Sequence, residues 1–67
     1  MSVAKVTEIT ASSPTSFDDA VKVGLARASK TLKGISGAWI SEQKVQVKNG
    51  IVASFRVTMK VTFVLED

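Results

Sequence analysis

Any chemistry performed by this chain would have to use serine, threonine, lysine or carboxylate side chains, because its 67 residues include no cysteine and no histidine. Their absence removes the commonest general base, the commonest metal ligand and every thiolate metal site. A serine, threonine or lysine nucleophile would need lysine, aspartate or glutamate as its base. The carboxylates are Glu8, Asp18, Asp19, Glu42, Glu66 and Asp67. Two of them suit a helix start and two lie at the end of the sequence, so the residues predict a protein that is not an enzyme and holds no metal.

Trp39 and Arg56 are the side chains that best fit the binding of a ligand. Trp39 is the sole tryptophan, and its indole face could stack on a planar ligand or could instead anchor the sheet or a subunit contact. Arg56 could donate to carbonyl or phosphate oxygens of a ligand, or could form a solvated or intersubunit ion pair. Both alternatives stay open at both positions.

The positive charge of the chain is small and scattered. Nine lysine and arginine residues stand against six aspartate and glutamate residues, which gives a net charge of +3. Proteins that bind nucleic acids usually concentrate such charge on one face. No apolar run approaches the ~20 residues of a membrane span, and the first residues lack a signal-peptide core. The sequence therefore predicts no nucleic-acid partner, no membrane partner and a cytoplasmic location.

One amphipathic helix is predicted over residues 16–33. Small or apolar residues recur along it at spacings of three and four: Phe17, Ala20, Val21, Gly24, Leu25, Ala28 and Leu32. Ser16 suits the N-cap, with Asp19 as the acidic partner of a capping box. Gly34 can adopt the left-handed conformation that ends a helix. A glycine inside a helix costs about 1 kcal/mol relative to alanine, so Gly24 predicts close packing on the sheet.

Three strands are predicted, over residues 3–10, 38–48 and 51–65, and Asn49-Gly50 is a strong hairpin signal between the last two. Apolar residues in the second strand change parity: Trp39, Val45 and Val47 share one parity, and Ala38 and Ile40 share the other. A one-residue bulge near residues 41–43 would reconcile them, because a bulge changes the face that later residues occupy. Alternatively, the start of this strand is covered on both faces.

The last predicted strand is too long to be covered by one helix. Apolar residues stand at every second position: Ile51, Ala53, Phe55, Val57, Met59, Val61, Phe63 and Leu65. Fifteen extended residues span roughly 50 Å, whereas the predicted helix would be about 27 Å long. Soluble monomers rarely expose the large apolar patch that would remain. The sequence therefore predicts a homo-oligomer of one α+β domain (residues 1–67) in the order β-α-β-β, with a three-stranded antiparallel sheet and one helix packed across it.

An ordered set of local sequences resembles the dodecins along essentially the whole chain. The matching segments are residues 13–20 (SPTSFDDA), 26–28 (ARA), 30–32 (KTL), Gln43 and 55–63 (FRVTMKVTF). The resemblance implies a hollow shell of twelve subunits, built from trimers, that stores or sequesters a flavin (FMN or riboflavin) without turning it over. The ligands would lie in pockets at subunit contacts.

The resemblance also implies where a flavin would bind. In flavin-binding members the ring stacks on a tryptophan and is contacted by a glutamine of the last strand. Aligned without gaps, these positions are Gly37 and Arg56 in this sequence, so the implied cofactor site comprises Gly37, Trp39 and Arg56. Trp39 points to the same side of an extended strand as residue 37, about 7 Å away, where it could form a displaced stacking surface or close the pocket. Two alternatives are a shell without flavin and a shell that binds coenzyme A through Arg56 and nearby lysines.

Overall fold

The computed structural model describes residues 3–65, so the ends of the predicted domain 1–67, including Glu66 and Asp67, lie outside the described residues. The chain forms β1 (Val3–Ser13), α1 (Phe17–Ala28), β2 (Ile35–Lys48) and β3 (Ile51–Leu65). The three strands make one antiparallel sheet in the order β1-β3-β2, with α1 packed against β1 and β3. This is the predicted β-α-β-β fold. Within the described range, no helix is long and apolar enough to cross a bilayer.

Two strands are longer than predicted. β1 continues past residue 10 to Ser13, immediately before Pro14, because Ala11, Ser12 and Ser13 pair with Val57, Arg56 and Phe55 of β3. β2 begins at Ile35 and not at residue 38, because Ile35 pairs with Phe63. β3 spans the predicted range. β3 is therefore hydrogen-bonded on both sides along most of its length.

The helix is shorter than predicted, because α1 ends at Ala28 and not at residue 33. The serine and threonine hydroxyls that follow bond to helix carbonyls: Ser29 Oγ donates to Leu25 O (2.8 Å) and Thr31 Oγ1 to Ala28 O (3.4 Å). Such side-chain bonds compete with regular helix bonds, and the chain continues in turns. Gly34 has the predicted left-handed conformation (φ 78°), but it joins these turns to β2 and does not directly follow the helix.

The start of α1 is tied to the end of β1 by hydrogen bonds. The Ser16 side chain caps the helix as predicted, accepting from the Asp19 backbone N–H at 2.9 Å. The Asp19 carboxylate accepts from Ser13 Oγ at 2.6 Å, and Ser13 Oγ also accepts from the Thr15 N–H at 2.9 Å. Ser13 is buried at 2% exposure. These bonds set the direction in which α1 leaves the sheet.

The bulge predicted in the second strand is confirmed. The register of β2 against β3 shifts between Ile40 and Glu42, which leaves Ser41 as the extra residue, and Ser41 Oγ donates to Thr58 O at 3.2 Å. Ile40 before the bulge pairs with Met59, and Val45 after it pairs with Phe55. Both partners belong to the odd-numbered, helix-facing side of β3. Trp39 consequently lies on the opposite face of the sheet.

The core is confined to the middle of the long sheet. Its fully buried residues are Ala20, Val57, Met59 and Val61. The ring of Phe17 packs edge-on against Phe55, with the centroids 5.2 Å apart. A 12-residue helix is only about 18 Å long, whereas the longest axis of the subunit measures 51 Å. Four exposed apolar side chains lie on either side of the turn between β2 and β3, where α1 does not reach. They are here called the apolar hairpin end: Val45, Val47, Ile51 and Val52.

Gly24 is the point of closest approach between α1 and the sheet. A Cβ at this position would lie 2.7 Å from Met59 Cε and 2.8 Å from Ala11 Cβ. The Ala11 Cβ is fixed to the backbone and cannot rotate away. The close packing predicted for Gly24 is therefore confirmed.

We expect Gly24→Ala to destabilise the protein despite the higher helix propensity of alanine. The propensity gain is about 1 kcal/mol, whereas overpacking a well-packed core costs typically 1–3 kcal/mol. Urea unfolding at one fixed protein concentration should show the lower free energy of unfolding. Gly37→Ala is the control, because a Cβ there would meet nothing within 4 Å among the described residues. A Gly24→Ala protein as stable as the wild type would contradict the packing argument.

Candidate ligand-binding site

The face of the sheet that turns away from α1, here called the open face, carries the polar residues of β3. Successive strand residues alternate between faces, and the odd residues Val57, Met59 and Val61 are buried under α1. The even residues and their register partners therefore form rows across the open face. In the order β1, β3, β2 these rows are Val6–Thr62–Gly37, Glu8–Lys60–Trp39, Thr10–Thr58–Glu42 and Ser12–Arg56–Lys44.

Trp39 is available for contact with a ligand. Its side chain is 63% exposed, which is unusual for the largest apolar residue of a chain. Lys60, directly opposite on β3, places its Nζ 5.0 Å from the centroid of the ring. This cation–π contact orients the indole and contributes about 0.5–1 kcal/mol at an exposed site. Much of the indole surface stays accessible.

Gly37 lies beside Trp39 on the open face. Gly37 pairs with Thr62 and Trp39 with Lys60, so the register places the two residues on the same side of β2, as the sequence predicts. Among the described residues nothing lies within 4 Å of the point where a Cβ of residue 37 would be. The missing side chain therefore leaves room next to the indole.

Arg56 lies on the same face but in another row. Its Nε donates to Ser12 Oγ at 3.1 Å, and its register partner on β2 is Lys44. Arg56 lies four positions before Lys60, the partner of Trp39, which corresponds to about 13 Å of strand. The structure thus brings Gly37 and Trp39 together and sets Arg56 at a distance from them. Lys60, Lys44 and Ser12 are neighbours that the sequence analysis did not include in the site.

Two further features of the described residues bear on the site. No three histidine, cysteine, aspartate or glutamate side chains cluster within residues 3–65 in a way that could hold a metal ion. A cavity of about 530 Å³ lies between β1 and α1, and it is lined in part by Ile9, Ala11, Val23, Arg27 and Leu32. Its lining includes none of the three site residues predicted from the sequence.

Comparisons with known proteins give one consistent family. The family model described as Dodecin matches residues 3–66. A dodecin from Streptomyces davaonensis is 36% identical, the alignment covering 98% of this chain and 97% of that one, with a TM-score of 0.94. A mutant of the Thermus thermophilus dodecin is 28% identical, with 100% of both chains covered and a TM-score of 0.94. No curated protein matches the chain.

A third similar structure is described as a calcium-chelating calcium dodecin from Mycobacterium tuberculosis with a novel calcium-binding site. It is 31% identical to this chain, and the alignment covers 96% of this chain and 91% of that one with a TM-score of 0.82. The family model spans nearly all of the sequence, and the alignments cover at least 96% of this chain and at least 91% of each of the three structures. This chain belongs to the dodecin family.

Proposed function

We propose that this protein binds a flavin, FMN or riboflavin, and stores or sequesters it without turning it over. The observation that carries the proposal is the exposed indole of Trp39 beside the open space at Gly37, on a sheet face that no helix within residues 3–65 covers. A planar aromatic ring fits such a surface because offset stacking on an indole is favourable. The cytoplasmic location expected from the sequence is part of this proposal.

Each of the three site residues has a distinct part in holding the flavin. Trp39 stacks on the ring, the missing side chain at Gly37 makes room for the ring edge, and Arg56 donates hydrogen bonds to an oxygen of the ligand. When bound, the flavin supplies a redox-active ring system. The residues of this chain bind the ring, orient it and limit its contact with water. Neither histidine nor cysteine is present in the sequence to take part in a reaction.

The proposed site is completed by other subunits. Binding pockets bury most of the surface of a small ligand, and the open face of one sheet can cover only one side of a ring. The apolar hairpin end, with Ile51 at 70% and Val47 at 60% exposure, gives the chain a reason to associate with copies of itself. We infer a homododecamer built from trimers, with the flavin at subunit contacts.

Coenzyme A is a second candidate ligand, and the Ser12–Arg56–Lys44 row favours it. Two cations side by side suit an anionic cofactor that carries phosphates. Binding of coenzyme A through these residues would be strongly weakened by salt, because exposed charges are screened. A flavin-free shell is the remaining alternative.

Titration of FMN and riboflavin with purified protein tests the main proposal through flavin fluorescence. We expect micromolar wild-type protein to quench the fluorescence. Trp39→Ala should weaken binding about five- to 150-fold, because stacking of a base on an aromatic side chain is worth about 1–3 kcal/mol. Trp39→Phe should retain part of the affinity, and Ala26→Ser, on an exposed position of α1, is the matched control. Fluorescence that stays unquenched with the wild-type protein would overturn the proposal in favour of a flavin-free shell.

A further inference from the structure

Lys60 lies between two different side chains on the open face. Its register partners are Glu8 of β1 and Trp39 of β2, so a carboxylate stands on one side of the lysine and an indole on the other. The Nζ atom lies on the indole side, 5.0 Å from the centroid of the Trp39 ring. Lys60 is half-buried on the central strand of the sheet. The sheet therefore holds a positive charge beside the indole.

The other charges that face Lys60 come from its own strand and from both neighbouring strands. Glu8 stands opposite it on β1, and Glu42 of β2 lies one row nearer to the hairpin, opposite Thr58. Arg56 lies four positions before Lys60 on β3, and α1 packs against the other face of the sheet. Within residues 3–65, Lys60 is the one cation that lies over the indole.

A ring that stacks on Trp39 stays near this ammonium on either face of the indole. Stacked aromatic rings have their centroids about 4.5–7 Å apart. On the face that Lys60 covers, the ring displaces the ammonium to the edge of the stack. On the opposite face the indole lies between them, and their separation is about 10 Å, close to the Debye length at 0.1 M salt. In both arrangements Lys60 interacts with charge on the bound ring.

The charge of a flavin ring depends on its redox state. The oxidised ring is neutral near neutral pH. Uptake of two electrons and one proton gives a reduced ring with a negative charge at N1, and a second proton neutralises that charge at lower pH. We propose that Lys60 stabilises the anionic reduced ring and thereby biases the site toward retaining reduced flavin. The inference rests on the proposed function, and the electrons come from an external electron donor, which is dithionite in the test.

The midpoint potential of riboflavin bound to excess protein tests this role, and riboflavin is used because it carries no phosphate. Anaerobic reduction with dithionite is followed by flavin absorbance against a reference dye, at pH 8 and low salt. We expect Lys60→Gln to lower the potential by about 15–30 mV, an about three- to tenfold loss of preference for the reduced form, as for partly exposed charge pairs. Lys60→Arg keeps the charge and should keep the potential. Lys22→Gln, the same change at an exposed position of α1, is the matched control.

Two further measurements separate an effect of charge from an effect on structure. Glu8→Gln removes the anion on the other side of Lys60, so it should raise the midpoint potential. At pH 5 the second proton neutralises the reduced ring, so the difference between the wild type and Lys60→Gln should largely disappear. A merely structural role for Lys60 would weaken the binding of both redox forms equally and leave the potential unchanged.

The outcomes separate the role of Lys60 from the proposed function. Equal potentials for the wild type and Lys60→Gln at pH 8 would overturn the role of Lys60 and leave flavin binding intact. A difference as large at pH 5 as at pH 8 would also overturn it, because the neutral reduced ring offers no charge to the ammonium. If Lys60→Gln loses riboflavin altogether, an unchanged potential in Glu8→Gln would overturn it. If the wild type binds no flavin, the proposed function and this inference fail together.

Discussion

Replacing Val47 and Ile51 with lysine should reduce the assembled protein to separate chains. Both side chains belong to the apolar hairpin end and are 60% and 70% exposed in the single subunit. Burying one such side chain in a subunit contact is worth about 1.5–3 kcal/mol, and a lysine there would place an unpaired charge in the same contact. Light scattering coupled to size-exclusion chromatography should show the loss of mass.

The control for this prediction adds the same charge elsewhere. Ala26 is exposed on α1, so Ala26→Lys should leave the mass of the assembly unchanged. The double variant should also lose flavin quenching, although Trp39, Gly37 and Arg56 are all present, because the proposed site needs a second subunit. A double variant that keeps the wild-type mass would remove the hairpin end from the subunit contacts.

Met59→Ala should cause the largest loss of stability of any single substitution considered for this chain. Met59 is fully buried beneath α1, at 0% exposure, and its Cε contacts the helix where Gly24 leaves space. Truncation of a buried methionine to alanine costs about 2–5 kcal/mol, and a domain of this size rarely has more than ~3–5 kcal/mol from its own core. Thermal unfolding should show a strongly lowered midpoint or no folded subunit.

Met59→Leu distinguishes the loss of volume from the loss of the methionine itself. The two side chains have similar volumes, and such substitutions usually cost less than about 1.5 kcal/mol. The leucine variant should therefore assemble and unfold nearly as the wild type does. If Met59→Ala stayed within about 1 kcal/mol of the wild type, the core could not be centred on β3 under the helix.

Local sequence signals predict the parts of the fold that local physics determines. Asn49 and Gly50 both have positive φ, at 53° and 75°, which is the type I′ geometry that this pair favours in a hairpin. The parity change in β2 indicates a bulge near Ser41, because a bulge there keeps Ile40 and Val45 on the helix-facing side of the sheet. The N-cap at Ser16 follows from its hydroxyl and needs no tertiary contact.

The residue at which the helix ends and the cross-strand partners of the site residues depend on hydrogen bonds and strand register that the sequence pattern does not show. Periodicity continues to Leu32, but after Ala28 the backbone makes i→i−3 turn bonds, from Lys30 N–H to Arg27 O and from Thr31 N–H to Ala28 O. If the residues of β2 and β3 are paired one by one outward from the hairpin turn, Trp39 falls opposite Lys60, as it does in the structure. The pairing is correct there because the two register shifts, at Ile40/Glu42 and Gln46/Val47, compensate each other before Trp39 is reached.

The same one-by-one pairing places Lys44 opposite the residue next to Arg56 and not opposite Arg56 itself. The error arises because only one of the two register shifts, Gln46/Val47, lies between the turn and this row. The row of two cations could therefore be found only from the three-dimensional register. Any part that neighbouring subunits contribute to the proposed site has no signal in one sequence, because it depends on how separate chains meet.

The central position of β3 has a consequence for how this chain is made. β1 and β2 both pair with β3 and lie on opposite sides of it, with Val3 opposite Leu65 at one end of the sheet. During synthesis, β1 and β2 leave the ribosome before β3, the strand with which both of them pair. We therefore expect folding to begin only when the final strand has emerged, with the hairpin closing first and β1 docking last, because nearby segments meet at lower entropic cost than distant ones.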